Sequence, residues 1–198
     1  MATTTSARPA WAQRLIADLE AADGRAERVA SGLSREQLNW SPAPGAWSIG
    51  QCLEHVRIGN EFYLPAISKS LEDRQHSPVR EVNLSGLIRW FIYHYIGPEV
   101  GTRAKAPGKA WPAAAVELSV LDDFLRMNKI ARELVSRAGS YDVNRIRFRN
   151  PFVPLLRFTV GAGLEIVSQH ERRHLLQAER VRQSPGFPPS DALSSNGR

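Results

Sequence analysis

Apolar residues recur every three or four positions along four long stretches of this chain, and that period restricts its fold more than any other feature. The first stretch carries Trp11, Leu15, Leu19, Ala22, Ala26, Val29 and Leu33, opens near Pro9 and is ended by Gly32. A second carries Cys52, Val56, Gly59, Tyr63, Ile67 and Leu71 and runs to about Asp73. The third carries Val116, Val120, Phe124, Met127, Ala131 and Leu134, with Pro112 at its first helical position and Gly139 as its stop. The fourth starts at residue 155 or 159 and ends at Arg182. Residues at this spacing share one face of an α-helix, so each stretch predicts a helix that must bury one stripe. No alternating strand pattern of convincing length competes with them. The expected fold is all-α: a four-helix bundle with an extra short helical insertion between the second and third long helices.

Local punctuation agrees with that division. Ser34 with Gln37 forms a capping box opening a short turn with Leu38 and Trp40, and Ser48 with Gln51 forms a second that starts a long helix at Ile49. Between them, residues 41–46 hold two prolines and a glycine and read as a loop. Residues 74–82 are polar loop, and 84–96 are the strongly apolar insertion, packed outside the core and ended by Gly97 and Pro98. Residues 101–108 form another loop, and 145–150 a basic linker. At 198 residues the chain is long enough for one domain with its own core. The expected organisation is a flexible N-terminus over 1–9, the bundle over 10–183, and a disordered Pro/Ser/Gly-rich tail over 184–198.

Two histidines stand four apart on the last predicted helix. His170 and His174 share one helix face, about 6 Å apart along the axis, in step with Val160, Val167, Ala178 and Val181. Imidazoles at this spacing can converge on one divalent metal at about 2.0–2.1 Å. Bundles build metal sites from side chains on facing helices, which makes His55, at the edge of the second stripe, the natural third ligand. Satisfied core histidines are the plain alternative, and three on two helices weigh against it. His76, in a polar loop, and His94, in the apolar insertion, read as structural. Cys52 lies one turn before His55 and reads as a small buried hydrophobe rather than a ligand. Trp40 and Trp47 flank the Pro-Gly loop, as core anchors or walls of the site.

Two neighbours of the ligands are the candidate catalytic residues, Glu171 and Arg173. Glu171 points about 100° away from the adjacent histidine, where it acts as a base, orients a partner, or pairs with Arg172 at the surface. Arg173 suits the grip of a substrate carboxylate near the mouth of the site. The same segment satisfies the H-E-x-x-H pattern of zinc peptidases, with Glu171 as general base. Such a peptidase takes its third ligand downstream. Beyond His174 there is no further histidine, Glu179 lies off the metal face, and no sheet is predicted.

The formal charge of +6 and a pI near 10.0 invite a nucleic-acid reading. The basic residues are scattered, however, with Asp142, Glu165, Glu171 and Glu179 among them. A moderate field of this kind steers a small anion better than it tracks a phosphate backbone, so no specific nucleic acid is expected. A single cysteine excludes an internal disulfide framework and suits a reducing, cytoplasmic setting. No apolar run approaches the roughly 18 residues of a spanning helix, and the polar start lacks the apolar region of a signal peptide, so no membrane partner is expected.

Two blocks of the sequence resemble the DinB/YfiT-like four-helix-bundle proteins, which are unrelated to the DNA polymerase sharing the DinB name. Trp47 and Ser48, followed after six residues by His55, are similar to that family's entry into its second helix, behind a P-x-x-G type of turn. His170, Arg173, His174 and Leu175 are similar to its H-x-x-R-H-x segment on the last helix. The resemblance covers roughly residues 10–183. It implies a bundle holding one divalent metal ion (Zn, Ni, Mn or Fe) through His55, His170 and His174. Three protein ligands leave a coordination position open, as in catalytic sites. The activity it implies is a thiol-dependent S-transfer to a small-molecule substrate, with a low-molecular-weight thiol as co-substrate. A metal-dependent hydrolase and a non-enzymatic metal-binding stress protein are the alternatives. Members of the family commonly pair, so a homodimer is implied too, with residues 84–96 offering apolar surface.

Overall fold

The computed structural model describes residues 8–97 and 107–189. Most of the expected flexible start, part of the expected 101–108 loop and the end of the expected tail lie outside the described residues. Four long helices form the body: α1 (Ala10–Ala30), α3 (Ile49–Ser70), α5 (Val120–Ala138) and α6 (Val160–Arg182). The short helices α2 (Arg35–Asn39) and α4 (Gly86–Phe91) lie between them. Both expected capping boxes are formed, at Ser34–Gln37 on α2 and at Ser48–Gln51 on α3. In the second, each side chain accepts the other residue's backbone N–H at 3.1 Å, satisfying two donors the helix start leaves unpaired.

The long helices form a ring in the order α1, α5, α3, α6. The successive pairs α1–α3 and α5–α6 therefore face each other diagonally instead of packing side by side, although sequential elements usually neighbour one another. The insertion falls between the second and third long helices, as expected. It is α4 followed by one π-helical turn, Ile92–Ile96, closed by Gly97 N–H donating to Ile92 O at 2.7 Å. Ile92 is its buried anchor, while Leu87 and Trp90 face solvent.

Three local expectations are corrected. The third long helix starts at Val120, not at Pro112. Residues 111–119 instead run over the ends of α2 and α3, because side chains there capture their backbone. The amide of Asn39 donates to Val116 O at 2.9 Å and accepts from Val116 N–H at 2.7 Å, and Gln51 donates to Ala113 O at 3.0 Å. The basic linker contains a two-stranded antiparallel hairpin, β1 (Arg147–Arg149) and β2 (Arg157–Thr159). It buries Phe148 and Phe158 and leaves Arg147, Arg149 and Arg157 outside. Any side chain at Gly163 on α6 would overlap the Phe148 ring, so glycine there lets the hairpin lie close. The first residues of the expected tail are packed: Phe187 meets Trp40 edge-on at 5.6 Å, and Pro188 O accepts from Gln37 at 3.0 Å.

The apolar interior has two halves. One joins Trp11, Leu15, Leu19, Tyr63, Ile67, Leu134 and the start of α6 to the hairpin phenylalanines. The other joins Ala26, Leu53, Val56, Phe124, Leu175 and Ala178. Between them lies a polar layer with one residue from each long helix: Asp23, Asn60, Asn128 and Glu171. Asn60 donates to Glu171 Oε1 at 2.7 Å, Asn128 donates to Asp23 Oδ1 at 2.8 Å, and Arg132 pairs with Asp23.

Candidate metal centre

His55, His170 and His174 come together. Their ring centroids form a near-equilateral triangle with sides of 4.9, 4.6 and 4.7 Å, and one potential ligand atom from each lies within 4.8 Å of the others. α6 supplies two of them because four residues make just over one turn; the third comes from α3, which packs directly on α6. A Cβ at Gly59, one turn beyond His55, would stand in ordinary contact with His170 Cε1 at 3.6 Å, so this turn of α3 lies directly against the cluster.

The hydrogen bonds fix which nitrogens point inward. His55 Nδ1–H donates to Ala110 O at 2.6 Å, which leaves its Nε2 with a lone pair. His174 Nδ1 meets Gln177 Oε1 at 3.0 Å, and as the donor it too leaves Nε2 bare. His55 Nε2 and His170 Nε2 stand 3.0 Å apart. Two nitrogens on a common ion at about 2.0–2.1 Å stand roughly 3 Å apart, so this spacing suits a shared cation. Ligating histidines characteristically donate their other ring N–H to a carbonyl or carboxylate, and Ala110 and Gln177 fill that place.

Burial lowers the pKa of all three imidazoles. His170 is brought to about 3, first by burial and then by the neighbouring His55 and Arg173. His174 is held well below its ordinary value by burial, with the other two histidines and Arg173 adding to it and Gln177 opposing. His55 is lowered by burial and by Arg173, against its bond to Ala110. Neutral imidazoles are the form that binds metal, so the donor set fits a divalent ion without proton loss at neutral pH.

Trp47 leans on His55 at 4.7 Å and on His174 at 5.6 Å, and Trp111 meets Trp47 edge-on at 5.6 Å. Trp47 is thus a wall of the cluster, whereas Trp40 holds the C-terminal segment. His76 packs on Tyr141, and His94 leans on Trp90; neither joins the cluster. Cys52 lies in an apolar half of the core, its thiol pKa pushed up by burial.

Glu171 is corrected. It is fully buried in the polar layer, bonded to Asn60, and is neither a surface ion pair nor a group aimed at the histidine nitrogens. Burial pushes its pKa up to about 8, against the pull of Asn60 and Asn128. Glu171 Oε2 and Asn128 Oδ1 are both buried acceptors with no donor among the described residues. Arg173 is half-buried, donates to Tyr95 O of the π-helical turn at 2.9 Å, and acts electrostatically on all three histidines. Sequence reasoning missed Ala110, Trp111, Gln177 and the asparagines. Gln177, one turn after His174, and Asn128, in step with Phe124 and Ala131, were the readable signals.

The sequence profile of the DinB superfamily matches residues 18–178. The uncharacterised protein YuaE of Bacillus subtilis is 24% identical over 162 residues, spanning 77% of this chain and 87% of that one. Among solved structures, YfiT from Bacillus subtilis matches with a TM-score of 0.54 at 12% identity, over 87% of this chain and 86% of its own. YfiT is described as a probable metal-dependent hydrolase with an unusual four-helix bundle topology. At that identity the likeness speaks for the fold.

Proposed function

The chain belongs to the DinB superfamily, and from that premise we propose that it binds one divalent metal through His55, His170 and His174 and catalyses transfer of a thiol to a small electrophilic molecule. The observation that carries this reading is the convergence of three neutral imidazoles from two helices, two of them with Nδ1–H already engaged. An ion held there supplies Lewis acidity, which makes a nucleophile of a thiol or a water near neutral pH. The chain's own groups do the rest. Ala110 and Gln177 hold the ring tautomers, Trp47 and Trp111 cover one side, and Arg173 adds positive potential that favours an anionic sulfur.

Thiol is preferred to water because no carboxylate among the described residues acts on the cluster. Glu171, the candidate base, is turned into the core and bonded to Asn60. A thiol, with its lower intrinsic pKa, needs less help than water in losing its proton. Hydrolysis is the second reading, favoured by the description of YfiT.

The test is metal analysis of gently purified protein, followed by turnover of an electrophile panel with and without low-molecular-weight thiols. Thiol-dependent product that disappears in His55→Ala supports the transferase. Turnover independent of thiol selects the hydrolase, and full metal occupancy in each single histidine variant overturns the site.

A further inference from the structure

Between Val143 and Leu164 the chain carries Arg145, Arg147, Arg149 and Arg157 and no acidic residue. Strand alternation in the hairpin turns the two phenylalanines inward and sets Arg147, Arg149 and Arg157 on the outer face. The register places Arg149 directly opposite Arg157. Like charges across a strand pair repel, and an anion lying against them relieves that repulsion. None of these three arginines has an ion-pair partner among the described residues.

The tip of the same hairpin is aliphatic and uncovered. Leu155 is 95% exposed, Leu156 47% and Val153 45%. It is also held in shape: Asn150 Oδ1 accepts from Phe152 N–H at 2.8 Å and Val153 N–H at 3.0 Å, and Asn150 Nδ2 donates to Tyr63 Oη at 2.8 Å. Phe152 anchors the loop from within, against Phe62 and Tyr63. The fold therefore braces a loop from below in order to present leucines to solvent.

We propose that this hairpin docks on an anionic phospholipid surface, with Val153, Leu155 and Leu156 entering the headgroup–acyl boundary and Arg147, Arg149 and Arg157 contacting phosphates. Apolar insertion and basic attraction together are what reversible attachment to a membrane surface requires. A second copy fits poorly: three aliphatic side chains offer far less than the roughly 800 Å² per partner of a stable interface. Tip-to-tip pairing would also bring two sets of arginines together. Nucleic acid would engage the arginines but leave the leucines in water, and they have no aromatic face on which bases stack. No described helix is long and apolar enough to cross a membrane, and spanning length, on which the expectation of no membrane partner rests, does not register a four-residue tip.

Co-sedimentation of the full chain with phosphatidylcholine vesicles, with and without phosphatidylserine, tests the proposal. Binding is expected only with phosphatidylserine, weakening as salt rises. Arg149→Gln and Arg157→Gln should each lower the partition coefficient about fivefold. Leu155→Ser with Leu156→Ser should lower it further, with circular dichroism unchanged because these side chains lie outside the core. Glycerophosphoserine should fail to displace the protein from vesicles, which separates a lipid surface from a free phosphoester. Absence of binding to phosphatidylserine vesicles overturns the proposal. So does tighter binding to a DNA duplex, or a dimer in sedimentation that the leucine pair abolishes. The vesicle comparison with unmodified protein decides the matter even if a variant misfolds.

Discussion

Glu171 and its histidine neighbours ask opposite things of the solvent. The histidines avoid protons because burial disfavours imidazolium; the carboxyl keeps one because burial disfavours carboxylate. With its ordinary value near 4.5 and its folded value about 8, Glu171 remains protonated in the folded chain through a window in which the unfolded chain has released that proton. Stability from this residue is therefore greatest below pH 4.5 and is lost as pH rises toward 8. Glu171→Gln keeps an acceptor for Asn60 and removes the group that titrates. The urea midpoint of the metal-free variant should thus stay level between pH 7 and 9, where that of the unmodified chain falls. Activity should survive in Glu171→Gln; its loss with metal retained would restore the peptidase reading. The three clustered histidines should behave as a unit. His55→Ala, His170→Ala or His174→Ala should each remove most bound metal with helical content kept, and Gln177→Ala should weaken binding about 10- to 100-fold by freeing the His174 ring. His76→Ala should leave metal content unchanged in the same measurement.

At the scale of elements, the strap over residues 107–119 connects fold to site. It delivers Ala110 O to His55 and Trp111 to Trp47, and it is pinned by Asn39 gripping both backbone groups of Val116. Asn39→Ala leaves that N–H and C=O without their partner, at a cost of about 1–3 kcal/mol. The variant should lose metal faster in a chelator-chase experiment; an unchanged off-rate would mean that the strap covers the site without ordering it. The strap also shows where the sequence could and could not be read. Helix starts at Ser34 and Ser48 were legible because both halves of each capping box are local. Pro112 signalled a helix start equally well locally, but the hydrogen bonds that hold its neighbourhood extended come from residues 39 and 51, far away in sequence. The β1–β2 hairpin was hidden for a similar reason: three-residue strands are too short to show a period, and their pairing is stabilised by Phe148 and Phe158 packing on α6. The histidine cluster was legible because two of its members are local to one helix. Asn60 was not, since a lone amide on a helix face shows its burial only once its partner is in place.

The whole molecule places its three clustered histidines beside a polar layer between two apolar halves, so the packing of the core does not run through the proposed metal site. Metal should accordingly add stability by mass action: about 2.7 kcal/mol at a free ion concentration one hundred times Kd. For a chain of this length that is a rise in Tm of roughly 5–10 °C. The pH dependence separates this from an exposed histidine site, and the Glu171→Gln background isolates it. There the apo chain should be level above pH 6.5, the ordinary value for histidine, and lose stability below it, because the unfolded chain takes up protons that the buried imidazoles refuse. The increment due to metal should nevertheless be the same at pH 6 and pH 7.5. In the folded chain burial brings the His170 pKa to about 3 and lowers the other two as well, so protons compete for these lone pairs less than they would at imidazoles in water. Differential scanning calorimetry with and without metal at the two pH values measures both quantities together. An increment that shrinks at pH 6 would show imidazoles titrating as they do in water, and hence a cluster open to solvent rather than one kept neutral by the bundle.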